Sequence, residues 1–202
     1  DEVIFGVYER DTGSLDYDEF ANALDVSGMS TTGLVKTLYY TTAGYDPLIP
    51  ALGSKGYASA WFKYLPTVSG YLNIDTFGSN YDTVLNVWQG APGAFTNRAY
   101  NDNYASLQSM AGLSVTAGQT YYIEVTQYDL APRDAGVQSL EEGGVTIEQI
   151  GGGLYLNLEW LPCYSVSVSA SPATGGTVTK SPAPNCLGTR YSKGTIVTLT
   201  AA

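Results

Sequence analysis

The stretch ASAWFKYLPTVSGYLNIDT, residues 58–76, contains two short apolar-rich segments separated by a turn with proline and glycine. Alternation of apolar and polar residues predicts strands at 58–65 and 70–76, and the turn lies at 66–70. The pattern recurs along the chain and predicts further strands at 3–8, 34–40, 84–88, 107–115, 120–127, 154–160, 164–171, 177–181 and 196–200. Many short strands at near-regular spacing predict an all-β fold, a β-sandwich or jelly roll. The one helix candidate is 18–24, with Asp18 as its N-cap, and an irregular loop fits that segment equally well.

The composition supports this fold class and excludes some functions. Of the 202 residues, 44% are hydrophobic and only 14% are charged, while 17 are Tyr and 23 are Gly. Tyr, Thr and Val favour strands. The formal net charge of −10 disfavours binding to nucleic-acid phosphates. No apolar run approaches the ~18 residues of a membrane span, and the opening residues do not have the pattern of a signal peptide.

The chain contains no histidine. A Ser-His-Asp triad, a Cys-His dyad and a histidine-based zinc site therefore cannot be built in their usual form. Two cysteines alone cannot hold a structural zinc ion. We therefore expect a protein that is not an enzyme.

A change in composition near residues 161–163 predicts a domain boundary. The preceding residues are rich in Tyr, Asn and Asp, and the following ones in Ser, Thr, Val and Pro. This divides the chain into an N-terminal strand or linker at 1–15, a β-sandwich at 16–161 and a small β module at 162–202. A predicted hairpin of 164–171 with 177–181 would bring Cys163 close to Cys186. A disulfide between them fits an oxidising compartment, and two buried free thiols are the alternative.

Four stretches carry a resemblance to a known family: YDEFANA at 17–23, WFKYLPTVSG at 61–70, IDTFGSNYDTVL at 74–85 and AGQTYYI at 117–123. In order and spacing they resemble the bacterial pre-peptidase C-terminal domain. The resemblance implies a β-sandwich of jelly-roll type, appended to secreted proteases and other surface proteins. Its members are non-catalytic, and some bind calcium or insoluble polymers such as collagen and polysaccharide.

A second resemblance lies in the C-terminal segment. YSVSVSASP at 164–172, GGTV at 175–178 and YSKGTIVTLT at 191–200 are similar to the first half of an InlB-type B-repeat. Together the two resemblances imply a secreted or cell-surface module that binds an extracellular polysaccharide or protein, or mediates adhesion. The alternative is a structural subunit of a filament, sheath or adhesin. Such a subunit would assemble end to end with its own copies through β-strand contacts, for which the strand at 3–8 offers an edge.

Six aspartates are candidate calcium ligands. Asp75, Asp82 and Asp102 lie at strand ends beside turns, where a carboxylate accepts backbone N–H groups and where calcium also finds oxygen ligands. Both interpretations stay open at this stage. The resemblance implies a second candidate cluster, because some family members bind calcium at the place that Asp16, Asp18 and Asp46 occupy.

Tyrosines are the candidate ligand surface. Neighbouring residues of a strand face opposite sides, so each Tyr-Tyr pair places one ring away from the core. Exposed rings stack on sugars or line protein interfaces, although covering the sheet is the ordinary alternative. The candidates are Tyr39, Tyr57, Tyr100, Tyr104, Tyr122 and Tyr128. By contrast, Trp61, Trp88 and Trp160 are predicted to pack in the core.

Overall fold

A computed structural model describes residues 17–38, 40–104, 106–128, 151–171 and 175–202. The predicted N-terminal strand at 3–8 and the rest of segment 1–15 lie outside these residues. The described chain is built from strands, together with one 3-10 turn at Phe20–Asn22. The strands are β1 (Leu24–Asp25), β2 (Val35–Lys36), β3 (Tyr57–Tyr64), β4 (Gly70–Asp75), β5 (Thr83–Gln89), β6 (Thr96–Asn101), β7 (Met110–Val115), β8 (Tyr121–Gln127), β9 (Gly153–Leu154), β10 (Asn157–Leu161), β11 (Cys163–Tyr164), β12 (Val178–Ser181), β13 (Tyr191–Ser192) and β14 (Thr198–Ala201).

Two sheets stack to form a sandwich, which confirms the predicted fold class. One sheet has five strands in the order β1-β3-β8-β5-β6, and the other has three in the order β10-β4-β7. All neighbours are antiparallel except β1 and β3. In β4, buried and half-buried residues alternate along the strand, as one covered sheet face requires.

The inner core lies between the sheets and is apolar. The five-stranded sheet contributes Phe62, Leu85 and Ile123, and the three-stranded sheet contributes Leu72 and Ile74, all with no exposed area. On β3 and β5, residues next to these inward ones point to the opposite face, where Trp61, Val84 and Trp88 form a second cluster with Ile49. We call this second set the outer cluster. The central strands of the five-stranded sheet are thus covered on both faces.

The N-terminal helix candidate and one strand differ from prediction. Segment 18–24 contains only the 3-10 turn, whose N-cap is Glu19, because the Asp18 carboxylate is engaged by Thr41 instead. Strand β6 was not predicted, since its residues Thr96–Asn101 form no apolar face and lie at the edge of the sheet. The predicted strand at 154–160 is divided between β9 and β10, which pair in different sheets.

The prediction that Trp160 packs in the core is wrong. Its side chain is 39% exposed, whereas Trp61 and Trp88 are buried as predicted. Trp160 lies near the end of the edge strand β10, and its indole covers Gly70, where any Cβ atom would overlap the ring. Because Gly70 has no side chain, the indole can lie over it at the edge of the sheet. At this edge part of the ring remains exposed to solvent.

After β10 ends at Leu161, the chain forms two small two-stranded sheets, β11-β13 and β12-β14. The predicted hairpin of 164–171 with 177–181 is wrong, because β12 pairs with β14, and of the first segment only Tyr164 lies in a strand, β11, which pairs with β13. The predicted disulfide between Cys163 and Cys186 is confirmed, with Cα atoms 6.0 Å apart. Backbone pairing joins Cys186 to Arg190, the residue just before β13. Because β13 pairs with the strand that contains Cys163, the two cysteines lie close together.

Candidate functional site

Two of the predicted tyrosines line one open depression on the surface. Tyr57 and Tyr128 lie around a space of about 200 Å³, together with Leu52 and Ser54. Tyr57 begins β3 opposite Gln127 of β8, and Tyr128 follows directly after Gln127. The pairing of these two strands therefore brings both residues to the same end of the five-stranded sheet.

Tyr100 of β6 belongs to the same corner. Burial, then the negative charge of Asp102 and then the neighbouring Tyr128, raise the pKa of its hydroxyl. Tyr128 is 44% exposed, while Tyr57 and Tyr100 are half-buried. We call Tyr57, Tyr100 and Tyr128 the tyrosine patch. Three of the six predicted tyrosines thus come together in the fold.

The other predicted tyrosines lie elsewhere. Tyr104 is 61% exposed and its ring contacts Phe77, with centroids 6.0 Å apart. Tyr122 is half-buried against the outer cluster, where its ring centroid lies 4.5 Å from that of Phe20. Tyr39 lies outside the described residues. Tyr122 therefore packs against the outer cluster, as Tyr100 of the tyrosine patch also does.

Asp18 and Asp46 fix the start of one segment, residues 41–56, which crosses the outer face of the five-stranded sheet. The Asp18 carboxylate accepts the backbone N–H of Thr41 at 2.7 Å and the Thr41 hydroxyl at 2.9 Å. The Asp46 carboxylate accepts the N–H of Ala43 at 2.7 Å and the Ser59 hydroxyl at 2.7 Å. Both side chains are buried, and both are occupied by hydrogen-bond donors. Asp16, the third predicted ligand of this cluster, lies outside the described residues.

The other three aspartates remain at strand ends. Asp75 accepts the N–H of Phe77 at 2.9 Å and the amide of Asn157 at 2.7 Å, which confirms its turn-holding interpretation. Asp82 precedes β5, and its carbonyl accepts the N–H of Tyr128 at 3.1 Å. Burial raises the pKa of the Asp102 carboxyl beside the tyrosine patch. Among the described residues, no three acidic or cysteine side chains form a group able to hold a metal ion, and calcium binding stays a prediction.

Glu124 is the buried acid that sequence reasoning missed. It lies in β8 on the outer face, is 1% exposed, and accepts the indole N–H of Trp88 at 2.8 Å. Burial raises its pKa to about 8; the Trp88 hydrogen bond opposes this shift, the charge of Asp46 adds to it, and Lys55 opposes it. The signal was present in the sequence: an acid interrupts the apolar strand YYIEVTQ at 121–127.

A second indole completes this arrangement of acids and tryptophans. Trp61 donates its N–H to Asp46 at 3.3 Å. Glu124 pairs with Trp61 of β3 on one side and with Asn86 of β5 on the other, and Asn86 is fully buried. Burial also raises the pKa of Asp46, against the hydrogen bonds from Ser59, Ala43 and Trp61. The outer cluster thus encloses two carboxyl groups, each bound by a tryptophan.

Segment 41–56 lies tightly on the sheet and forms one wall of the depression. The Lys55 ammonium donates to the carbonyls of Ala43 at 2.9 Å and Gly44 at 2.6 Å. A Cβ atom on Gly56 would overlap the side chain of Thr126, so only glycine permits this close approach to β8. Within the segment, Ile49 is fully buried against the outer cluster, and its N–H donates to the Ser54 carbonyl. The buried acids and Ile49 therefore position Leu52 and Ser54 beside the tyrosine patch.

The depression offers aromatic faces, phenol hydroxyls and the Ser54 hydroxyl. Such groups stack on and hydrogen-bond to neutral polar ligands. No family model and no curated protein matches this chain. Within the described ranges, no helix is long and apolar enough to cross a membrane.

Proposed function

We propose that the chain is a non-catalytic module, secreted or displayed at the cell surface, that binds an extracellular polysaccharide or protein or mediates adhesion. The tyrosine patch is the proposed contact surface. The observation that carries the proposal is the open depression lined by Tyr57 and Tyr128, with Tyr100 close enough to Tyr128 to feel its charge. Tyr57 lies in β3, Tyr100 in β6 and Tyr128 directly after β8, so these residues are far apart in the sequence.

The patch is held in place before any ligand arrives, which favours binding. Tyr57 and Tyr100 belong to β3 and β6 of one sheet, and Tyr128 is anchored by its N–H to the Asp82 carbonyl. Rings fixed by a sheet lose little conformational entropy when a ligand stacks on them. Such rings supply contact area at low entropic cost.

Two further observations support an extracellular location. The disulfide Cys163–Cys186 fits an oxidising compartment. The resemblance to the pre-peptidase C-terminal domain implies appended, non-catalytic modules of secreted proteins, and it also makes calcium a proposed ligand. The same resemblance suggests collagen and polysaccharides as the first polymers to try.

The experiment is a co-sedimentation assay with insoluble cellulose, chitin and fibrillar collagen, comparing the wild-type chain with the double variant Tyr57→Ala/Tyr128→Ala. We expect the wild type to bind at least one polymer, and the double variant to bind it about tenfold more weakly or worse. Each aromatic contact contributes about 0.5–1.5 kcal/mol, and 1.4 kcal/mol corresponds to tenfold.

The matched control is Tyr164→Ala, which removes a ring that is 54% exposed but lies in the C-terminal segment. It should bind like the wild type. Thermal melting of each variant verifies that the sandwich is intact. Absence of wild-type binding to all three polymers, or equal binding by the double variant, would contradict the proposal.

A further inference from the structure

Asp102 lies beside the tyrosine patch, and its carboxyl group lacks hydrogen-bond donors. The residue directly follows β6, two positions after Tyr100. Its oxygen Oδ1 is buried and accepts no hydrogen bond from the described residues. Within the same described ranges, no ion pair reaches this carboxyl group either. A partly buried carboxylate without donors or a counter-ion is costly, so a cation brought by a ligand would stabilise it.

The strand order places Asp102 within reach of the depression. Strand β5 is antiparallel to both of its neighbours, so β8 and β6 end at the same end of the sheet. Tyr128 follows β8 and Asp102 follows β6, two strand spacings or about 10 Å apart along the backbone. Tyr100 packs against the outer cluster, and the charge of Asp102 acts on its hydroxyl. A long side chain of a ligand can therefore contact the tyrosine rings and this carboxylate together.

The described basic side chains nearby do not neutralise Asp102. Lys55 forms part of the wall of the depression, but its ammonium donates to two backbone carbonyls of its own segment. Arg98 also belongs to β6, four residues earlier, which is about 13 Å along a strand. The Asp102 carboxylate therefore attracts a cationic group of a ligand, and it repels phosphate, sulfate and carboxylate groups.

A guanidinium group fits this combination of rings and acid. Its flat face stacks on tyrosine rings, where cation–π attraction adds to the contact. Its N–H groups lie in the plane of the group and can donate to the Asp102 carboxylate and to the Ser54 hydroxyl. A lysine ammonium is a compact, strongly hydrated charge without a flat face to stack. A quaternary ammonium stacks well but has no N–H to donate to Asp102.

We infer that the tyrosine patch and Asp102 together bind an arginine side chain of an extracellular protein. The guanidinium group stacks on Tyr57 and Tyr128 and donates to the Asp102 carboxylate. This inference rests on the proposed function and narrows its ligand to a protein that presents an accessible arginine. A neutral polysaccharide bound at the same rings would not require the charge of Asp102.

Titration of the isotopically labelled chain with the peptide acetyl-Gly-Arg-Gly-amide, followed by NMR chemical shifts, tests the inference. A calcium chelator is present throughout, so that no metal ion competes for the carboxylate. We expect the backbone amides of Tyr57, Tyr100 and Tyr128 to shift as the peptide binds. The matched peptide contains citrulline, which replaces the guanidinium with a neutral group of similar shape. It should bind about tenfold more weakly or worse, because charge-assisted hydrogen bonds are the stronger ones.

A pair of variants separates the role of Asp102 from a general effect of charge. Asp102→Asn should weaken binding of the arginine peptide about tenfold or more and leave binding of the citrulline peptide unchanged. Asp25→Asn makes the same substitution on β1, opposite Lys63 near the other end of β3, and should bind like the wild type. Thermal melting of both variants verifies that the sandwich is intact.

The outcomes distinguish this inference from the proposed function. Equal binding of the two peptides, or full binding of the arginine peptide by Asp102→Asn, would overturn the inference. A wild type that binds neither peptide would also overturn it. Polymer binding that is lost in Tyr57→Ala/Tyr128→Ala but kept in Asp102→Asn would then uphold the proposed function with an uncharged ligand.

Discussion

The two faces of the five-stranded sheet are covered by different chemistry. The inner core is built mainly from apolar and aromatic side chains that lie between the two sheets. The outer cluster combines Trp61 and Trp88 with the buried carboxyl groups of Asp46 and Glu124. Apolar burial needs no specific partner, whereas a buried carboxyl group must be hydrogen-bonded or neutralised. The inner face therefore supplies stability, and the outer face fixes where segment 41–56 lies.

The largest expected effect comes from removing an inner-core ring. Phe62→Ala should lower the free energy of unfolding by about 3–5 kcal/mol, because it leaves a cavity at a fully buried residue. Urea unfolding at pH 5 and at pH 9 measures the loss, which should be the same at both values. Phe77→Ala is the control, since that ring is 40% exposed and should cost far less. Similar losses for the two variants would contradict an inner face that dominates stability.

The outer face should instead make stability depend on pH, through Glu124. Its pKa rises from 4.5 to about 8 on folding. At pH values below 4.5 the carboxyl is protonated in both the folded and the unfolded chain. Between pH 4.5 and about 8, only the unfolded chain releases this proton. The free energy of unfolding from this group therefore falls by up to about 1.4 kcal/mol for each pH unit in that interval. The folded protein is therefore more stable at low pH, where Glu124 is neutral in both states, than at high pH.

The variant Glu124→Gln tests this interpretation. Its side chain keeps an oxygen for the Trp88 N–H but carries no charge. Urea unfolding should show the variant close to the wild type at pH 5 and clearly more stable at pH 9. Glu159→Gln makes the same substitution at an exposed residue of β10 and is the control. Equal pH dependence of Glu124→Gln and the wild type would show that Glu124 is ionised in the folded protein.

Removing the Asp46 carboxyl group should lower the free energy of unfolding less, and the loss should be concentrated in segment 41–56. Asp46→Ala removes the acceptor of the Ala43 N–H and the Trp61 indole, and buried donors without partners cost about 1–3 kcal/mol. Hydrogen exchange should show faster exchange of the segment's amides while the inner core stays protected. Asp25→Ala is the control, because its ion pair with Lys63 is largely exposed and contributes at most about 1 kcal/mol. Uniformly faster exchange would argue against a local role.

The inner face was also the part that the sequence predicted well. Strands β3, β4, β5 and β8 begin and end within one residue of prediction, because alternating apolar residues reflect a covered sheet face. Strand β6 was missed, since an edge strand needs no apolar face. Trp160 was misplaced because its covering of Gly70 depends on a pairing between distant strands.

The outer face and the tyrosine patch were harder to predict for a physical reason. Which tyrosines meet is set by strand order, and the alternation within each strand says nothing about its neighbours. Tyr128 influences the pKa of Tyr100 because β6 and β8 both flank β5, which brings the two residues to the same region of the sheet. The disulfide was predicted correctly from an incorrect hairpin, since two cysteines in a short segment have few alternatives. The unusual acid within the strand at 121–127 was the one local sign of the outer cluster.

The smallest expected change in stability comes from adding calcium. Its size distinguishes aspartates that bind calcium from aspartates that only hold turns through hydrogen bonds. Asp18, Asp46 and Asp75 each accept two or three hydrogen bonds from protein donors, and these donors would have to be displaced by a metal ion. We therefore expect calcium held by these three carboxylates alone to raise the melting temperature of the chelator-treated protein by no more than about 2 °C, or less than about 1 kcal/mol. A larger rise, measured by calorimetry and lost in Asp102→Asn but kept in Asp25→Asn, would assign a calcium site beside the tyrosine patch. Such a result would show that carboxylates at the strand ends of the sheet bind calcium. The buried carboxyl groups of the outer face would then have a structural role only.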